Sequence, residues 1–62
     1  IPTVGDVVIG WDDNNKENAV VGIMNEVDET SNPYKINNGT WYKNCDKFVS
    51  EKQYKNLIDG KE

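Results

Sequence analysis

The sequence predicts a small, mainly β domain of about five antiparallel strands followed by a short C-terminal α-helix. Three observations carry that expectation. Asn38-Gly39 lies between two stretches rich in aromatic and β-branched residues, which is a strong hairpin signal. Val7-Val8-Ile9-Gly10-Trp11 and Ala19 to Val27 are β-branched runs bounded by polar, turn-forming clusters. Ser50 with Gln53 three residues on marks a helix start, and Tyr54, Leu57 and Ile58 follow at helical spacing.

In chain order, Pro2 favours an extended lead-in to a first strand at Val7–Trp11, with Val7, Ile9 and Trp11 on one face. Asp12 to Asn18 is a polar loop. Its Asp13, Asn15, Glu17 spacing glances at a calcium loop but lacks the glycine and the terminal acid, so no metal site is expected. Ala19 to Val27 is the second strand, with Ala19, Val21 and Ile23 on one face and Val20 and Met24 on the other. Gly22 inside it signals a bend, a bulge or close backbone approach. Asp28 to Pro33 is a turn.

A two-residue loop at Asn38-Gly39 pairs Ile36 with Trp41, Lys35 with Tyr42 and Tyr34 with Lys43. Tyr34, Ile36 and Trp41 then face the core, and Tyr42 faces solvent. Ile36, Trp41 and Phe48 are the expected core. Asn44-Cys45-Asp46 reads as a bulge, a bend or a single helical turn, with a short last strand at Phe48-Val49. The helix occupies about 51–59, with Val49 stapled to Tyr54 and Gly60 as its stop.

At 62 residues the chain is a single domain, its β part spanning about 4–49. A chain this short buries only about 60% of its unfolded surface. With one cysteine and no histidine, neither an internal disulfide nor a structural zinc site is available to help. Stability must come from an aromatic core or from a partner.

The β-strand order resembles that of the Src-homology-3-like (SH3-like) small barrels, in the broad sense that includes Tudor and KOW modules. Val4-Gly5-Asp6-Val7-Val8-Ile9 looks like their opening strand and Val20-Val21-Gly22-Ile23-Met24 like their second. Tyr34-Lys35-Ile36 and Gly39-Thr40-Trp41-Tyr42 look like the third and fourth. The resemblance implies a closed small barrel, with the helix as an addition. The Ala-Leu-Tyr-Asp-Tyr run of proline-binding members is absent, so polyproline ligands are not expected.

Catalysis has little material. There is no histidine, Ser31 and Ser50 have no adjacent base, and Cys45 reads as an inert thiol. The expectation is a non-enzymatic interaction or regulatory module without cofactor. Trp11, Asp12, Asp13, Tyr34 and Tyr42 are the candidate contact residues. An aromatic flanked by carboxylates suits a basic segment of a partner protein.

Eleven acids against seven lysines give a net charge of −4, and there is no arginine. That argues against nucleic acid. Two other readings remain: a nucleic-acid-associated module using Lys35, Lys43, Lys47 and Tyr42, and an acidic decoy for a DNA-binding protein. Lysine and asparagine without arginine point to a phage or a low-GC bacterium. No apolar run reaches the ~18 residues of a membrane span. The lone cysteine favours a cytoplasmic setting. The start at Ile1 is that of a processed or partial chain. Asn38-Gly39-Thr40 also fits a glycosylation sequon, which the turn explains without it.

Overall fold

A computed structural model describes residues 2–59. The order is β1 (Val7–Trp11), a 3-10 turn (Lys16–Asn18), β2 (Val20–Val27), β3 (Tyr34–Ile36), β4 (Trp41–Tyr42), β5 (Asn44–Lys47) and α1 (Glu51–Asp59). The strands form one antiparallel sheet in the order β4-β3-β2-β1-β5. The mainly β chain with a C-terminal helix is thus present. The sheet is open: β4 and β5 are its two edges, and no ladder joins them among the described residues.

It is nonetheless curled. Only Lys43 separates β4 from β5 in the chain, so the two edges meet there. Gly10 on β1 is where they converge. A Cβ at this position would collide with Ile36 Cδ1 and lie 3.5 Å from both Tyr42 Cβ and the Asn44 carbonyl oxygen. Glycine lets the far strands fold over β1.

The inner, concave face holds the core. Val8, Met24 and Ile36 are buried there, with Tyr34, Tyr42 and Cys45 packed against them. On the outer face Ile9 is buried, and Leu57 of α1 is buried as well. Val7, Val21 and Ile23 share that outer face and remain exposed. The expected grouping of Val7, Ile9 and Trp11 on one face therefore holds, but only its Ile9 is fully covered.

The hairpin forms one residue out of the expected register. Tyr34 lies opposite Tyr42, and Lys35 opposite Trp41. The loop has three residues: Ile36 N–H donates to the Thr40 carbonyl at 3.3 Å, and Gly39 N–H to the Ile36 carbonyl at 3.1 Å. The positive φ values belong to Asn37 (54°) and Asn38 (55°), not to Gly39.

Contacts with β2 explain the shift. Asn37 N–H donates to the Ile23 carbonyl at 2.8 Å, and Asn37 Oδ1 accepts from Ile23 N–H at 3.1 Å. Its Nδ2 reaches the Val21 carbonyl at 3.5 Å, and Asn38 N–H donates to Asn25 Oδ1. These bonds outweigh the intrinsic preference of Asn-Gly for the central turn positions. Gly22 makes them possible, because a Cβ there would strike the Asn37 carboxamide.

A one-residue slip sends each side chain beyond the turn to the opposite face. Tyr42, expected in solvent, therefore packs on the core. Trp41, expected in the core, lies half-buried on the outside, with Lys35 Nζ 5.8 Å from its ring centroid. Lys35 Nζ also pairs with Glu26 at 3.4 Å. Phe48, the third expected core residue, is only half-buried.

Asn25 is a β-bulge. Met24 pairs with Ile36 while Glu26 pairs with Lys35, so β2 carries one extra residue there. The last strand also differs from expectation. Residues 44–46, expected to bulge, bend or make one helical turn, instead belong to β5, which pairs along β1. Phe48 adds one more ladder bond, its N–H donating to the Val7 carbonyl at 3.0 Å. Val49 is 81% exposed, so it neither extends the strand nor staples to Tyr54.

The start of α1 is held by Gln53. Its Oε1 accepts from Val49 and Ser50 N–H, and its Nε2 donates to the Lys47 carbonyl at 2.8 Å. Tyr54 OH donates to the Glu17 carbonyl at 2.9 Å and ties the helix to the 3-10 turn. Ile58 remains exposed. The proposed stop at Gly60 lies outside the described residues.

Candidate partner-binding cleft

The outer face of β1 and β5 and the inner side of α1 enclose a cleft of about 180 Å³. Ile9 and Trp11 come from β1, Asp46 from β5, and Gln53, Asn56 and Leu57 from α1. Strand alternation puts Ile9 and Trp11 on the same side, and the ladder sets Asp46 opposite Ile9. Helical spacing brings Gln53, Asn56 and Leu57 to one side of α1. The lining combines an apolar floor, an indole, one exposed carboxylate and two carboxamides. None of the lining residues is cationic. Gln53 is engaged by its bonds to 47, 49 and 50, whereas Asp46 is exposed and Asn56 half-buried.

Of the five residues expected to make contacts, Trp11 alone lines this cleft. Asp12 and Asp13 are held elsewhere, at the β4–β5 junction. Asp12 Oδ1 accepts from Lys43 N–H at 2.9 Å. Asp13 Oδ1 accepts from Asn44 Nδ2 at 2.7 Å, and Asp13 Oδ2 lies 2.9 Å from Lys43 Nζ. The hydrogen bond from Lys43, then that from Asn44, lowers the Asp13 pKa, and Asp13 in turn raises that of Lys43. The two carboxylates clamp the corner where the sheet edges meet. Tyr34 and Tyr42 both face the core.

Asp46, Asn56 and Leu57 are cleft residues that sequence reading did not select. The signal for Asp46 was its alternation with Cys45, visible only once residues 44–47 are read as strand. Cys45 itself is half-buried, its Sγ 3.9 Å from Met24 Sδ. Burial, with a smaller contribution from Asp46, pushes its pKa up to about 11. The thiol is thus protonated at neutral pH and a poor nucleophile.

A second, polar cleft of about 340 Å³ lies at the far end of the sheet. Trp41 and the β2–β3 loop residues Asp28, Thr30, Ser31 and Asn32 line it. Among the described residues, no group of three or more His, Cys, Asp or Glu side chains is placed to hold a metal ion, and no helix is long and apolar enough to cross a membrane. No protein-family model, curated protein or solved structure matches the chain.

Proposed function

We propose that this chain is a non-catalytic interaction module of the SH3-like small-barrel type, which binds a basic segment of a partner protein in the Trp11 cleft. The observation that supports it is the cleft's lining. Ile9 and Leu57 suit the aliphatic stem of a lysine or arginine, Trp11 suits its cation, and Asp46 supplies the counter-charge. The acidic side of the contact is then Asp46, because Asp12 and Asp13 are already bonded to Lys43 and Asn44.

The barrel assignment draws on the strand order and on the convergence of β1, β3, β4 and β5 at Gly10. The nucleic-acid reading is less favoured: of its four residues, Lys35 is paired with Glu26, Lys43 with Asp13 and Tyr42 packs on the core, which leaves Lys47. An affinity pull-down from a phage-infected or bacterial lysate tests the proposal. Wild type, Trp11→Ala and Asp46→Asn baits are compared. The expected result is a partner recovered by wild type and lost with both variants. Recovery undiminished by either change would remove the cleft from the binding surface.

A further inference from the structure

The cleft at Trp41 carries chemistry distinct from that at Trp11. We infer that it is a saccharide-binding site, with the Trp41 indole as the platform and the β2–β3 loop as the polar rim. The lining is Trp41 with Asp28, Thr30, Ser31 and Asn32: one aromatic face, two hydroxyls, one carboxamide and one carboxylate. Three classes of guest fit it poorly. A cation would share the ring with Lys35, whose ammonium already takes one face at 5.8 Å from the centroid, so that a guest has only the other face to stack on. An anion such as a nucleotide phosphate would meet Asp28, with Glu29 beside it in the loop. An apolar guest would find no aliphatic side chain in the rim. A neutral ring with an apolar C–H face and outward hydroxyls matches what remains. Its C–H face stacks on the indole, while hydroxyls donate to Asp28 and exchange hydrogen bonds with Thr30, Ser31 and Asn32.

The volume of about 340 Å³ falls at the lower end of the range for small-ligand sites. The loop is also pre-set. Asp28 N–H donates to the Pro33 carbonyl at 2.9 Å, and Glu29 N–H to Asp28 Oδ1 at 2.8 Å. Asn32 N–H donates to Thr30 Oγ1 at 3.3 Å. Little ordering is then required on binding.

The test is a titration of the intact chain with three neutral oligosaccharides: cellohexaose, maltohexaose and N-acetylchitohexaose. Binding is read by NMR at the Trp41 indole N–H and the backbone amides of residues 28–32. At least one sugar is expected to shift these signals saturably at millimolar concentration or below. Asp28→Asn and Ser31→Ala should each weaken that sugar about tenfold or less, and Trp41→Ala by more than tenfold. Trp41→Phe, which keeps a smaller platform, should bind at an intermediate level and guards against loss of folding. Trp11→Ala should bind as wild type does, which separates this site from the proposed protein contact. Failure of all three sugars to move the signals overturns the inference. So does binding that persists in folded Trp41→Ala, or shifts centred on Trp11.

Discussion

Asn37 does more for this chain than its exposed position suggests. It takes up a left-handed backbone, which asparagine tolerates better than most residues, and it bonds to β2 through both backbone and side chain. Asn37→Ala loses the side-chain bonds and keeps the strained φ, so it should cost about 1–2 kcal/mol. Asn38→Gly should be neutral or stabilise by up to about 1 kcal/mol, because Asn38 lends the turn its backbone rather than its side chain. Urea denaturation should show a lowered midpoint for Asn37→Ala and an unchanged or raised one for Asn38→Gly.

Gly10 is a second such position. Gly10→Ala should destabilise by about 1–3 kcal/mol through its clash with Ile36 Cδ1. Ile36→Val removes that atom, so the double variant should be less destabilised than the two single changes summed. Cys45 gives a chemical readout. With its pKa at about 11, the native thiol should react with a disulfide reagent far more slowly at pH 8 than the urea-unfolded chain does. At this scale the sequence was partly legible. Gly22 was readable as a close approach, but the partner that makes it so, the Asn37 carboxamide, lies across the hairpin and leaves no local pattern.

Among the elements, β1, β2 and α1 were legible because each has a strong local signature. The helix occupies the expected residues, since the Gln53 half of the capping box and Leu57 act as the pattern implies. Leu57→Ala should cost about 2–4 kcal/mol. For a chain of this size, that is a large share of the total stability, and thermal melts should show a strongly lowered midpoint.

The β3–β4 hairpin was legible as a hairpin and illegible in register. Asn37-Asn38 and Asn38-Gly39 both satisfy the backbone of the turn, and the choice between them is made by β2. β5 was illegible because Asn44-Cys45-Asp46 has poor strand propensity; its strand is set by pairing along β1, with Asp12 and Asp13 fixing the corner before it. That corner is pH-sensitive. Asp13 has a lowered pKa, so its contribution is present above the ordinary value of 3.8 and fades as pH falls through the lowered one. Lys43 has a raised pKa, so its contribution is present below 10.5 and fades as pH rises through the raised value. Asp13→Asn should therefore flatten the acid side of the stability–pH curve, measured by urea midpoints across pH.

For the whole molecule, the misread register had the widest effect on the expected contact surface. The sequence pattern marks Tyr34 and Tyr42 as contacts, but the curled sheet uses both to line its concave side. Trp41, freed from the core, came to face the β2–β3 loop instead. Trp11 could be picked out from its place at a strand end, whereas its neighbours Asp46, Asn56 and Leu57 required the helix to be placed over β1 and β5. Only tertiary packing supplies that. The exposed Val7, Val21 and Ile23 lie on the same side of the sheet as α1.

The surplus residue in β2 has its own implication. Excising Asn25 would leave Met24 and Glu26 adjacent, and the β2–β3 rungs would then run without interruption. The ribbon would become more regular yet straighter, and Asn38 would lose its acceptor on the neighbouring strand. A chain shortened by that one residue would trade concavity for order, with Tyr42 drawn away from Gly10 and the inner pocket of side chains opened to water.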